Sequence, residues 1–449
     1  MSEHSLNTPQ VAVLLVGTSC GIGFLMGTGE LAVRQGMAGC LYALATALGL
    51  AVLAFYAPML RRSGQSIWSR FDQTYGPSVS HSVALLSLIW MTGVLATQIR
   101  GGSAVLILTG IPDTAALLLM SGILFVLSMA RLSWLSTGLG ICMLACGVML
   151  GNTLLETEGL GIWLHAPVLF ASALRHTAFA HTGFSAATIV AMVICGADYQ
   201  QFVIAANTPR TARIGCMLAA GCVFVAGFLP ASAVIATHTL WHLDTVDNPV
   251  QIVPMLLIHS MPDNISPALV IATLIAAAVG AGCAILRSMS DALTATQPRI
   301  FRHRIWSRIL PVVLSSFVAS RGQSLVDMMI ELNTVYLAAV GPLLVLRLLH
   351  LHLSDAAASA SLAAGCSIAL ACYLLRWTGI VMLPGGATAI LSLCFALTIA
   401  GIMHRRTFSF TDGRERIPPG SRPMFNSGRC WLRSLHRDVP EAGSGGHDS

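Results

Sequence analysis

The sequence predicts an all-α polytopic membrane protein with about twelve transmembrane helices. Three observations predict it. Of 449 residues, 55% are hydrophobic and only 10% charged, against about a quarter charged in a soluble domain. Mean hydropathy is +0.75. The apolar residues also fall into runs of roughly 20, the length of helix that crosses a bilayer's hydrocarbon core.

The runs cover 10–33, 37–60, 81–109, 113–131, 134–154, 177–199, 212–238, 265–296, 307–320, 324–348, 356–375 and 380–403. This lays the chain out as a short N-terminal segment 1–9, five spans in 10–154, a loop 155–176, five spans in 177–348 and two more in 349–403. The tail 404–449 is basic and rich in Pro, Gly and Ser, without an apolar period. It is expected to be disordered, with affinity for anionic lipid headgroups.

The formal charge of +6 comes from arginine alone, since the chain has no lysine. In a membrane protein arginine reports orientation. The bilayer is the expected partner, and nucleic acid is not. Arg61, Arg62, Arg70, Arg210, Arg213, Arg299, Arg302, Arg304, Arg308, Arg347, Arg405 and Arg406 all fall on one side of the twelve spans. Far fewer lie on the other side, Arg34, Arg175 and Arg321 among them, with Glu156, Glu158, Asp244, Asp247 and Asp263 in its longer loops. An integral protein of the cytoplasmic membrane with both termini in the cytoplasm is the expectation. Most of the twelve cysteines lie inside apolar runs, where they act as small hydrophobes. No metal and no cofactor is expected.

Span one carries Gly17, Gly21, Gly23, Gly27 and Gly29, five glycines in thirteen residues. They weaken a helix. In a membrane, loosened backbone is tolerated where it faces protein or a wet cavity, and its freed carbonyls can bind a cation or a solute. Close helix packing on glycine is the alternative. Span three has Gln98 and Arg100 just before Gly101-Gly102, and span six has His181 and Gly183 and ends in Asp198-Tyr199-Gln200-Gln201. Asp198 and Asp327 stand near the ends of their spans and are read as solvated. Span ten also carries Glu331.

Span eight has no charged residue from Ile265 to Leu286, then presents Arg287, Ser288, Ser290 and Asp291. An arginine inside a spanning helix costs a few kcal/mol even on the lenient insertion scales. It therefore snorkels, pairs with Asp291 one turn on, or has a task.

Three stretches resemble the sodium/solute symporter family, which includes sodium-coupled sugar, proline and pantothenate transporters. Gly17 to Gly36 is similar to the family's glycine-punctuated first core helix. Thr74 to Ser103 begins with "TYG" and ends in "ATQIRGGS", similar to the family's Arg-Tyr-Gly loop and Gln-x-x-Gly-Gly helix. Most specific is "DYQQFVIAANTPRTAR" from Asp198 to Arg213, which resembles the family's "DxxQRxLAAxxPxxAR", with Phe202 where the family has Arg. Ala284 to Leu293 stands where the family has Ala-x-x-Ser-Thr-x-Asp-Ser-x-Leu. The resemblance implies two five-helix repeats, inverted relative to each other (the LeuT-type fold), plus two C-terminal helices. It also implies binding sites near the bilayer midplane.

Carried over residue by residue, the carbonyls of the family's sodium site would be those of Gly17, Cys20 and Ala284. Its hydroxyls would fall at Arg287 and Ser288. A guanidinium offers five donors and no acceptor, whereas a hard cation needs oxygen ligands. The expectation is that Arg287 stands in for the ion as a tethered charge, with coupling to protons, exchange or the solute gradient. The other alignment lets Ser288 and Ser290 supply the hydroxyls, so that sodium still binds. The solute site would be walled by Gly21, Gly23, Phe24, Gln98, Arg100, His181, Gly183 and Glu331. Arg100 would clamp a carboxylate and Glu331 would face an amine, or the two would pair as a gate.

The functional expectation is a secondary active transporter of a small polar organic solute, such as an amino acid or organic acid, working by alternating access. The alternatives are a conventional sodium-coupled symporter and a transporter-like membrane sensor acting with a partner. A channel would need pore-lining rings that the sequence does not show. An enzyme would need a catalytic pair or metal cluster at useful spacing, so no enzymatic activity is expected.

Overall fold

The computed structural model describes residues 6–412, apart from 131, 176–178, 242, 244, 245, 247, 263, 264, 298, 302, 304, 322–324, 349–352 and 379–384. The chain to His404 forms one compact unit, and it is helical throughout. Its helices are α1 (Thr8–Ser19), α2 (Ile22–Gln35), α3 (Leu41–Ser63), α4 (Ile67–Ile107), α5 (Asp113–Leu127), α6 (Leu132–Glu156), α7 (Leu160–Leu164), α8 (Ala166–Arg175), α9 (Phe179–Cys195) and α10 (Ala197–Ile204). There follow α11 (Pro209–Ala226), α12 (Leu229–Trp241), α13 (Ile252–His259), α14 (Pro267–Thr296), α15 (Trp306–Ala319), α16 (Leu325–Leu348), α17 (Asp355–Trp377) and α18 (Gly385–Asp412).

Among the described residues six helices or merged helix pairs are long and apolar enough to cross a membrane, and the bent pair α9–α10 makes a seventh. Shorter apolar helices fall at the predicted fourth, ninth, tenth and twelfth spans. The all-helical membrane architecture is therefore borne out. Three details differ from the sequence reading. The predicted loop 155–176 carries the short helices α7 and α8. The seventh span is two helices, α11 and α12, meeting at Gly227 and Phe228. The sixth does not stop at 199; it bends by 41° at Gly196 and runs on to Ile204.

Two spans are broken inside. The first stops at Ser19 and restarts at Ile22, with Cys20 and Gly21 between. The sixth stops at Cys195 and restarts at Ala197. They are the first members of the two groups of five, and the packing follows the same exchange. α3 packs on α9 while α11 packs on α1, and α6 packs on α1 while α16 packs on α9. α4 packs on α14 and α3 on α11, the pairs that map onto themselves. Sequence similarity between the halves is not visible, so the repeat emerges only from this pattern of neighbours.

Small residues let these helices approach. A Cβ on Gly49 would stand 2.7 Å from Val193 of α9, and one on Gly280 would stand 2.8 Å from Leu139 of α6. Van der Waals packing between helices takes over where lipid removes the hydrophobic drive. Gly76 has a different reason to be glycine. Its φ of 80° lies in the left-handed region, at the kink between the first turns of α4 and its long membrane part. Only glycine adopts that angle without steric cost, and Pro77 then starts the next helical stretch.

Candidate functional site

The site is built where the two breaks meet. At the first, Cys20 (φ −119°, ψ 29°) and Gly21 (φ −61°, ψ 179°) leave the helix. The Cys20 N–H still donates to the Val16 carbonyl at 2.6 Å, and the Phe24 N–H closes on Gly21 at 2.9 Å. Among the described residues no main-chain N–H reaches the carbonyls of Gly17, Thr18, Ser19 or Cys20. At the second break two of the freed carbonyls are taken by side chains. Gln200 Nε2 donates to Ile194 at 2.9 Å and the Tyr336 hydroxyl donates to Cys195 at 2.9 Å. The breaks touch directly, since the Ser19 hydroxyl donates to the Tyr199 hydroxyl oxygen at 3.2 Å. The loosened backbone read from the glycines of span one is thus present, with a run of four uncapped acceptors at the first break.

α4 passes across the first break. The Gln98 amide lies against Gly21, where a Cβ would stand 2.8 Å from its nitrogen, and Thr97 lies against Gly23 at 2.9 Å. Phe24 stacks obliquely on Tyr42 with ring centroids 5.8 Å apart. Gln98 is 1% and Phe24 2% exposed. Gly21, Gly23, Phe24 and Gln98 are therefore brought together as the sequence reading expects. Gln98 Oε1 and Asn333 Oδ1 are buried with no hydrogen-bond partner among the described residues. Asn333 lies on α16 one turn before Tyr336, and such neighbours share a helix face. It was missed because an isolated asparagine in an apolar run carries no pattern.

Arg100 does not join this group. Two residues past Gln98, a helix has turned by about 200°. The Arg100 guanidinium donates to Asp113 Oδ1 at 2.6 Å, with Asp113 55% exposed. The carboxylate clamp and the Arg100–Glu331 gate both give way to this ion pair at the start of α5. Gly183 is exposed, and a Cβ there would meet nothing within 4 Å, so it walls no site. The side chains of His181 and Glu331 lie outside the described residues.

Residues missed by the sequence reading surround the second break. Asp198, read there as a solvated end, is 0% exposed. Helix α10 continues beyond it, which puts it inside the protein. Its Oδ1 accepts the Trp90 indole N–H at 3.0 Å. Trp90 packs edge-on against Tyr336 at 5.2 Å.

The ion-site equivalents lie where α14 passes α1 and α6. Cys20 and Ala284 are each 1% exposed and Ser288 is 5% exposed. A Cβ at Gly17 would strike Leu139 of α6, the residue that also faces Gly280. The Ser288 hydroxyl is turned back on the Ala284 carbonyl at 3.4 Å. Ser290, the second hydroxyl of the alternative alignment, bonds instead to Ser307 before α15 is two residues long. Half-buried Arg287 stands between two faces of α14 at about 100° per residue. One carries Gly280, Ala284 and Ser288. The other carries Cys283, which bonds to Leu124 of α5 and lies within electrostatic reach of both Arg287 and Arg308.

Contacts bridge the chain on both sides of the breaks. On the side of the N-terminus, Leu6 exchanges main-chain bonds with Ala205 at 3.2 Å and Asn207 at 2.9 Å. Arg61 donates to the carbonyls of Ala206 and Asn207 there, and Arg70 donates to Gln200. Burial and the neighbouring Arg347 lower the Arg70 guanidinium to about 10, which leaves it charged at neutral pH. On the opposite side, Gly29 of α2 packs against Val253 of α13. A cavity of about 260 Å³ remains there, bordered by Glu30, Arg34 and Pro249. Glu30 and Arg34 stand 3.6 Å apart.

No family model matches the sequence, and no curated protein matches it. Solved structures do match. The chain is similar to a Na⁺-coupled sialic acid symporter in its substrate-bound outward-open state, with TM-score 0.70 and 15% identity, over 89% of this chain and 90% of that one. It is also similar to Mhp1, a nucleobase-cation-symport-1 family transporter, closed around bromovinylhydantoin. That match has TM-score 0.55 and 16% identity, over 91% and 94% of the two chains. MhsT in complex with L-phenylalanine matches with TM-score 0.56 and 15% identity, over 88% and 97%. The fold is the LeuT-type fold, and the resemblance to sodium/solute symporters, read from the motifs, is borne out at the level of the fold.

Proposed function

We propose that this protein is a secondary active transporter that carries a small polar organic solute across the cytoplasmic membrane by alternating access, with both termini in the cytoplasm. The observation that carries the reading is the pair of broken helices at equivalent places in two intertwined sets of five, in contact at Ser19 and Tyr199. A continuous helix satisfies its own backbone, so a break inside a bilayer is kept where it lines a binding site.

The chemistry of the centre supports a solute rich in N–H or O–H donors. Gln98 Oε1, Asn333 Oδ1 and the carbonyls of Gly17 to Cys20 are acceptors in wait. The start of α2 at Ile22 and Gly23 offers main-chain N–H groups and the positive end of a helix to a carboxylate. An amino acid satisfies both. The solutes of the similar structures, sialic acid and L-phenylalanine among them, are also small and carry a carboxylate.

The reading of sodium independence is supported by α14. Ser288 is turned onto its own helix and Ser290 onto Ser307, which supports the reading that Arg287 supplies a fixed positive charge where the symporters place sodium. The experiment is solute uptake into proteoliposomes, with a panel of amino acids and small organic acids, with and without Na⁺. Wild type is compared with Arg287→Ser. The expected result is sodium-independent uptake by wild type and a gained sodium response in the variant. Strong sodium stimulation of wild type would overturn the fixed-charge reading and leave a conventional sodium symporter. No saturable uptake of any panel member would overturn transport itself and favour a sensor.

A further inference from the structure

Among the described residues Asp198 is the one buried acid at the breaks, and the solute reading above gives it no task. It is the second residue of α10 and is 0% exposed. Its Oδ1 accepts from Trp90 at 3.0 Å. Its Oδ2 is buried with no hydrogen-bond partner among the described residues. One oxygen is therefore held by the site, and the other is left open.

The titratable groups within electrostatic reach of it are Tyr42 from α3, Tyr199 from α10 and Tyr336 from α16. All are phenols, uncharged at neutral pH in ordinary surroundings. The cation on this side, Arg70, is held by Gln200, and Gln200 in turn holds the Ile194 carbonyl. Among the described residues no cation pairs with the carboxylate. An ionised carboxylate buried without a countercharge is costly, and such a group sheds its charge by binding a proton. A metal cation would need several oxygens gathered around Oδ2; a proton needs only one.

We propose that Asp198 is a proton-binding site and that its Oδ2 takes up and returns one proton in each transport cycle, which makes the proton the coupling ion. This rests on the transporter reading above. The step balances by itself: an O–H bond forms on Oδ2 with a proton from water on one side and breaks to water on the other. Access is governed by the same contacts that hold the breaks together. Ser19 to Tyr199 closes the site towards α1, and Arg70 to Gln200 closes it towards the side of the N-terminus. The bland alternative is that Asp198 is a fixed cap on α10 that never changes protonation.

Infrared difference spectroscopy on the full-length protein in proteoliposomes separates the two, scanned from about pH 5 to about pH 9, where buried carboxyls are known to titrate. The expected result is a deuterium-sensitive carboxyl band that titrates in this range and is absent in Asp198→Asn. In Trp90→Phe the band is kept but displaced, because Oδ1 has lost its donor. This second variant decides the matter should the first fail to fold. A band unchanged in both variants, or no titrating band, overturns the proposal. In the same vesicles an inward gradient of about one pH unit sustains up to about tenfold accumulation per proton carried. Wild type is expected to accumulate solute under it, whereas Asp198→Asn only exchanges solute at equilibrium. Gradient-driven accumulation by Asp198→Asn also overturns it. Absence of any flux in wild type sinks the transporter reading, and the infrared titration still decides the proton site.

Discussion

Replacing Gly21 by alanine tests whether the first break is a working part. The backbone there, φ −61° and ψ 179°, is extended and open to any residue, so alanine brings no torsional strain. The obstacle is space. A Cβ would stand 2.8 Å from Gln98 Nε2, and nearer still to the Gly17 carbonyl oxygen. Ordinary contact begins at 3.4 Å, so the amide must retreat 3.4 − 2.8 = 0.6 Å and the carbonyl further. Overpacking a filled interior costs about 1–3 kcal/mol. One obstacle here is backbone, which places the cost at about 2–3 kcal/mol against the closed arrangement. At 1.36 kcal/mol per factor of ten, that raises the open population roughly 30- to 150-fold. Cys20, 1% exposed beside the break, reports it. Its alkylation by maleimide, followed by mass spectrometry on the protein in proteoliposomes, is expected to accelerate by that factor. Gly183→Ala is the control, since its Cβ enters open space. An unchanged rate at Cys20 in Gly21→Ala, or an equal rise in the control, would refute the reasoning.

Two further outcomes follow from single contacts. Tyr336→Phe keeps the ring on Trp90 but leaves the buried Cys195 carbonyl without its donor. It should destabilise the closed protein by about 1–3 kcal/mol, read as a lower denaturation midpoint; an unchanged midpoint would show that the second break needs no side-chain cap. Arg100→Ala removes only a partly exposed ion pair with Asp113, worth about 1 kcal/mol or less. Solute uptake should keep its apparent affinity, and a large rise in KM would restore Arg100 to the binding site.

The spans were legible because crossing a bilayer is a property of each segment by itself. Glycine content around Gly21 marked the first break, since weak helix formers act locally. The second break was not marked: Gly196 is a lone glycine and Asp198 reads like the polar end of a span. Its burial depends on α10 continuing to Ile204 and on Trp90 and Tyr336 closing over it from α4 and α16. The motif around Asp198 carried the family resemblance, yet it gave no indication of which of its residues faces the centre.

The sequence by itself determined a polytopic helical membrane protein, an arginine-rich side and a loosened first helix. Each follows from the transfer cost or backbone preference of a short stretch. Only the tertiary structure decided which polar groups share the centre. A turn of about 100° per residue sends Gln98 inward and Arg100 outward to Asp113. It also sets Arg287 between Ser288 and Cys283, and joins Ser19 to Tyr199 across 180 positions of chain. Hydropathy averages over the face of a helix, and the site depends on which face each residue occupies and which helix stands opposite.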